Sequence, residues 1–222
     1  MSQNIVDIFY QIVAFLFAIS VHESAHAWTA NRCGDPTARM LGRVSLNPVR
    51  HVDPIGTVLI PALAMFSGVG FIGWAKPTPV DPRNFKKPVQ YDILTSVAGP
   101  VSNFLVATLA ILVLAVLSAL FPSGRETIRY GLDTGSVLVP VVAMLYALVS
   151  VNILLAVFNL IPIPPLDGSH VIRHLLPESA QRAYDTMGMV GLILLFVIGR
   201  PILRAILPPV MGVFSSLIRV VT

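Results

Sequence analysis

Residues 12–28 read IVAFLFAISVHESAHAW, an apolar run carrying one acid, Glu23, between two histidines, His22 and His26. The run lies in a longer interval from Asp7 to Arg32 in which Glu23 is the sole charged side chain. About 20 apolar residues suffice to cross a bilayer core, so this interval predicts a transmembrane helix. On a helix the two histidines, four residues apart, share one face and can reach a single ion, the spacing of an H-E-x-x-H metal motif. Glu23 projects about 100° away around the axis, suited to a water held by the metal rather than to the metal itself.

The rest of the chain agrees with a membrane setting. Of 222 residues, 55% are hydrophobic and only 12% charged, with a mean hydropathy of +0.79. Soluble domains carry about 25% charge, so a water-soluble enzyme, a disordered chain or a nucleic-acid binder is not expected. The formal charge of +4 has the sign of a nucleic-acid footprint, but the basic residues fall between apolar runs, where cytoplasmic loops place them. One cysteine, Cys33, excludes an internal disulfide or a Cys-based metal cluster and reads as a packing residue. No Lys or Arg precedes Arg32, so the first helix is expected to stay in the mature protein rather than act as a signal peptide.

Three further long uncharged intervals follow, at residues 54–75, 93–124 and 134–166. Two shorter ones, 186–199 and 205–218, are separated by Arg200-Pro201 and interrupted by Pro208-Pro209; they leave open one full span plus a short or surface-lying helix. No repeat and no low-complexity tract appears, and the loops are short and marked by proline. The expectation is a single membrane-embedded domain over residues 1–222.

A charge at the bilayer centre costs at least ~2.5–3.5 kcal/mol, so acids stranded there mark candidate sites. Glu23 and Asp167 are the two that qualify. Zinc with three protein ligands keeps a fourth position for water, and a nearby carboxylate can take that water's proton. Asp167 ends the longest uncharged interval, where Pro162, Pro164 and Pro165 break the helix and expose carbonyls. Irregular backbone at that depth requires a wet or protein-lined cavity, which makes Asp167 the candidate third ligand. His170 and His174 also have helical spacing, but no acid adjoins either and the stretch continues into Arg173, Pro177 and Glu178, as a water-facing segment does. His51 reads as a solvated or capping loop residue. Asn103, in Gly99-Pro100-Val101-Ser102-Asn103, suits either an oxyanion donor or helix packing through Gly99 and Ser102.

Taken together these motifs resemble the site-2 protease family of intramembrane zinc metalloproteases. His22-Glu23-x-x-His26, Gly99-Pro100-x-x-Asn103 and Asn159-x-x-Pro162 running into Leu166-Asp167-Gly168 match its three signatures in order, over roughly residues 10–176. The resemblance implies one Zn²⁺ per chain on His22, His26 and Asp167, with Glu23 as catalytic base and Asn103 and Asn159 beside the substrate cleft. Many relatives carry PDZ or CBS modules; here a minimal bacterial or archaeal type is expected. His170 departs from the glycine or arginine often found at that position.

For His22, about 25 Å along a helix that starts at Ile5, to meet Asp167, both segments must end on the same side of the bilayer. That parity fails if residues 54–75 cross. They are therefore expected to be re-entrant, as Pro61, Gly68, Gly70 and Gly73 suit. Arg32, Arg39, Arg43 and Arg50 before the segment, and Lys76, Arg83, Lys86 and Lys87 after it, predict that both flanks are cytoplasmic. The fold class expected is an all-α polytopic membrane protein with a re-entrant segment and short cytoplasmic-side β-strands at residues 42–47 and 71–79. A strand edge there would receive an unwound substrate by strand addition. The activity expected is hydrolysis of a peptide bond within or near the transmembrane helix of a membrane-protein substrate. The rival reading is a divalent-metal transporter using the same ligands, although the internal repeats usual in transporters are not visible.

Overall fold

A 29-residue helix, α1 (Ile5–Cys33), contains neither glycine nor proline. It ends where Gly34 turns to φ +113° and the amides of Gly34 and Asp35 bond back to the Asn31 and Ala30 carbonyls, with Pro36 following. This is the start of a computed structural model that describes residues 5–60, 73–131 and 135–221. Six more helices of eight residues or longer follow among the described residues: α2 (Pro88–Leu120), α3 (Pro122–Tyr130), α4 (Val139–Asn159), α5 (Asp167–Leu175), α6 (Glu178–Asp185) and α7 (Gly188–Val221). Proline sits in the first turn of α2, α3 and α4, where its missing N–H is not needed.

Among the described residues, four segments are long and apolar enough to cross a membrane: α1, α2, α4 and Pro201–Val220 of α7. At 1.5 Å per residue the 21 residues of α4 extend about 32 Å, close to the bilayer's hydrocarbon thickness. The two short apolar intervals near the C-terminus form one continuous 34-residue helix in spite of Pro201, Pro208 and Pro209.

The described residues correct part of the fold expectation. No β-strand occurs among them, and neither 42–47 nor the described part of 71–79 is one. The physical reason is visible at Pro77 and Pro79, which lack the N–H groups a ladder needs. The re-entrant segment is not supported either. Its described start is a single helical stretch, Pro54–Leu59, capped by the Asp53 carboxylate on the Ile55 and Gly56 amides. Pro61, Gly68 and Gly70 lie outside the described residues.

The chain divides into two compact units: Ile19–Gly99, and Met1–Ala18 with Pro100–Thr222. The second is built on helix packing. Ala107, Ala110 and Ile111 of α2 meet Val149, Ile153 and Val157 of α4, with Leu207, Met211 and Phe214 of α7 against them. Alanines at 107 and 110 allow the close approach on which membrane helices depend.

Ile19–Gly99 is organised differently. Asp35, fully buried, accepts from the Thr37 amide (3.1 Å) and hydroxyl, the Asp81 amide (2.7 Å) and the Asn84 side chain (2.9 Å). Burial pushes its carboxyl up, but these four donors more than offset that and hold it below the usual carboxylate range. Arg43, also buried, donates to the Arg50 carbonyl at 2.6 Å. His51 is fully buried rather than solvated, and its Nε2–H donates to the Ser45 carbonyl at 2.7 Å. It does sit at a capping position, after the turn Pro48–Arg50.

Candidate metal centre

The helical spacing of His22 and His26 brings their Nε2 atoms to 3.0 Å from each other, and both rings are buried. Two imidazole ligands on one tetrahedral zinc, each about 2.05 Å from it, would stand about 3.3 Å apart. The pair therefore needs little movement to share an ion. His26 Nδ1–H donates to the Thr95 carbonyl at 2.7 Å, which assigns the proton to Nδ1 and leaves the Nε2 lone pair for a metal. Gly99, one helical turn beyond Thr95, supplies the space. A Cβ at that position would lie 2.4 Å from His26 Nε2 and 2.6 Å from His22 Nε2. The donors, their orientation and the missing methyl group all fit a bound divalent cation.

Glu23 is half-buried beside the pair. Its Oε2 accepts two hydrogen bonds from Thr78, one from the backbone N–H (2.9 Å) and one from the hydroxyl (2.7 Å). The Thr78 Oγ1 also lies 3.1 Å from the Glu23 carbonyl. Spacing alone did not point to Thr78, which is 55 residues away.

The remaining expected residues belong to the helical unit. Asp167 is the first residue of α5, half-buried. The turn before it depends on Gly168, because a Cβ there would come within 2.3 Å of the Leu160 carbonyl oxygen and 2.8 Å of that of Ile161. The chain leaving α4 can fold back this tightly only with glycine at that position. Asn159, half-buried in the last turn of α4, donates to the Leu155 carbonyl of its own helix at 3.0 Å. Asn103 is fully buried and donates to Asn152 Oδ1 at 2.8 Å and to the Ala18 carbonyl at 3.3 Å. Asn152 was missed in the sequence, although an amide in the middle of the longest uncharged interval was the available signal. His170 is exposed and His174 half-buried, both on α5.

Among the described residues Asp35 and Asp92 are also acids, and both are buried, whereas Glu23 and Asp167 are half-buried. Asp35 and Asp92 flank apolar runs rather than interrupt them, so counting charges within runs did not find them.

Comparison with known proteins bears on this geometry. Residues 10–198 match the protein family described as Peptidase family M50. The chain is 36% identical over 191 residues to YwhC of Bacillus subtilis, covering 85% of this chain and 80% of that protein, which is named as a zinc metalloprotease. It is 30% identical over 196 residues to Rip2 of Mycolicibacterium smegmatis, covering 87% of this chain and 68% of the relative. Rip2 of Mycobacterium tuberculosis is 31% identical over 198 residues, covering 86% and 67%. Both Rip2 proteins are also named as zinc metalloproteases. No solved structure matches.

Proposed function

We propose a reaction for this chain on one premise: it belongs to peptidase family M50, the site-2 protease family, and is a multi-pass membrane zinc metalloendopeptidase. The reaction is hydrolysis of a peptide bond within or near a transmembrane segment of a membrane-protein substrate. One observation carries the reading: two buried Nε2 atoms 3.0 Å apart, facing a glycine, with a half-buried carboxylate on the next residue of the same helix.

His22 and His26 hold the zinc through Nε2, and Asp167 supplies the third ligand. Two buried imidazoles and one half-buried carboxylate are a donor set suited to catalytic zinc. Zinc, when bound, supplies Lewis-acid polarisation of water and of the scissile carbonyl. Glu23 takes a proton from the attacking water and delivers it to the leaving amide nitrogen, so the C–N bond breaks to a carboxylic acid and an amine. Asn103 and Asn159 position the substrate segment. For Asn103 this requires its side-chain N–H to turn from Asn152 toward the substrate.

The site faces the cytoplasm of a cell membrane. Support comes from the eight basic residues between positions 32 and 87, against none before Arg32. The test is a Glu23→Gln variant assayed with a single-span membrane-protein substrate in detergent. It should keep one zinc per chain and lose cleavage, whereas Asp167→Ala should lose zinc. Full cleavage by Glu23→Gln would overturn the assignment of the base.

A further inference from the structure

Residues 73–81 form no helix or strand, yet their backbone is pinned at every second residue. The amide of Trp74 donates to the Gly56 carbonyl (3.0 Å), that of Lys76 to the His51 carbonyl (2.8 Å), and that of Thr78 to Glu23 Oε2 (2.9 Å). Donors two residues apart share one edge of an extended chain, so all three bonds come from the same edge. The first anchor is reinforced twice. The Thr57 hydroxyl donates to the Trp74 carbonyl at 2.7 Å, and the Trp74 indole lies over Gly56, where a Cβ would come within 2.2 Å of Nε1. The far end is fixed by the Asp81 amide on the buried Asp35 carboxylate.

Thr78 lies between Pro77 and Pro79. Pro79 confines Thr78 to extended backbone, and neither proline has an N–H. Thr78 therefore carries the sole backbone donor of this tripeptide, and both that N–H and its hydroxyl are used on one oxygen of Glu23.

We propose that residues 73–81 are a strap that orients the general base, with Thr78 as a positioning residue. Two donors fix Glu23 Oε2 and turn Oε1 toward the reacting water. A free glutamate side chain samples several rotamers; a base held in one loses less on entering the transition state. The strap is anchored at three points that do not involve Glu23, so the carboxylate adapts to the strap rather than the reverse. The proposal rests on the reading of Glu23 as the base, but its structural half can be tested without catalysis.

The experiment uses the full chain, zinc-loaded in detergent, with a single-span peptide bearing a fluorophore and a quencher across its apolar segment. Thr78→Val keeps shape and removes the hydroxyl. It should lower kcat about tenfold, the order expected when one hydrogen bond to a charged group is lost, with KM changed by less than about twofold and zinc content unchanged. Thr78→Ser restores the hydroxyl and should restore kcat. A Thr78→Val enzyme with wild-type kcat, or one whose loss follows zinc or folding and is not rescued by serine, overturns the proposal. Independently, hydrogen exchange of the Thr78 amide should rise in Glu23→Ala while the Trp74 and Lys76 amides stay protected, and unchanged exchange at Thr78 overturns the clamp whatever the activity. If the wild type fails to cleave the peptide while Glu23→Ala still exposes the Thr78 amide to exchange, the function fails and the strap stands.

Discussion

The unit Ile19–Gly99 and the helical unit that includes Pro100–Thr222 solve the same problem with different forces. The helical unit is held by small and branched side chains interleaving along α2, α4 and α7, with one fully buried amide pair, Asn103 and Asn152, among them. Among its described residues Ile19–Gly99 has few long elements after α1, and buried polar groups set the chain path there. Asp35 binds two separate stretches, at Thr37 and at Asp81 with Asn84; Arg43 and His51 bind loop carbonyls, and Thr78 binds Glu23. Dispersion forces are non-directional and tolerate small shifts, whereas hydrogen bonds fix angle as well as distance. The proposed base and the two proposed histidine ligands lie in the unit whose geometry is angular. A reaction that needs a proton acceptor held within a fraction of an ångström is better served there.

That contrast can be broken. The largest effect is expected at Gly99, where adding one methyl group tests whether the histidine face tolerates change. Gly99→Ala should displace both Nε2 atoms and weaken zinc retention about 10- to 100-fold, read by metal analysis after dialysis against a chelator. Unchanged zinc content would mean that the histidine face is as forgiving as a packed apolar surface.

A smaller effect, on stability rather than chemistry, is expected at Asp35. Asp35→Ala strands several buried donors and should cost about 2–5 kcal/mol in unfolding measurements. Its pH dependence has a definite sign. The folded carboxyl lies below the unfolded value of about 3.9, so the stabilisation is fully present above about pH 4 and is lost as pH falls through the folded pKa. Protease resistance of the loop after α1 should decline in that acidic range in the wild type, and Asp35→Asn should flatten the decline.

The smallest effect sharpens the other side of the comparison. Arg173 grips Asp185 with two bonds, 2.7 and 2.9 Å long, and the Arg173 hydrogen bond holds Asp185 below the usual carboxylate range. The pair is 36% and 44% exposed, so water screens it. Asp185→Asn should change stability by less than about 1 kcal/mol. A larger loss on thermal unfolding would show that the helical unit also depends on polar fixation.

Much of this was present in the one-dimensional pattern. Charge-poor intervals located α1, α2 and α4 because lipid excludes charge, and the four-residue histidine spacing needs only a helix to place both rings on one face. Leu166-Asp167-Gly168 marked a special turn, and the structure supplies its reason in the backbone approach at Gly168. The strand at 71–79 was misread because its sequence looks extended and apolar, but its described part is neither helix nor strand, and the prolines at 77 and 79 remove the donors that pairing needs. The C-terminal prolines left the last span open, and α7 continues through three of them.

What the sequence determined alone is whatever depends on near neighbours and on the solvent: the membrane setting, the positions of the spanning helices, and the shared face of His22 and His26. Tertiary structure alone decided which groups hold those side chains. Thr95 meets His26 across 69 residues, Thr78 meets Glu23 across 55, and Asn152 meets Asn103 across 49. Each of these partners is a neutral residue or a backbone atom with no charge or period to mark it. A hydrogen bond is recognised by direction and distance, and those exist only once the chain has folded.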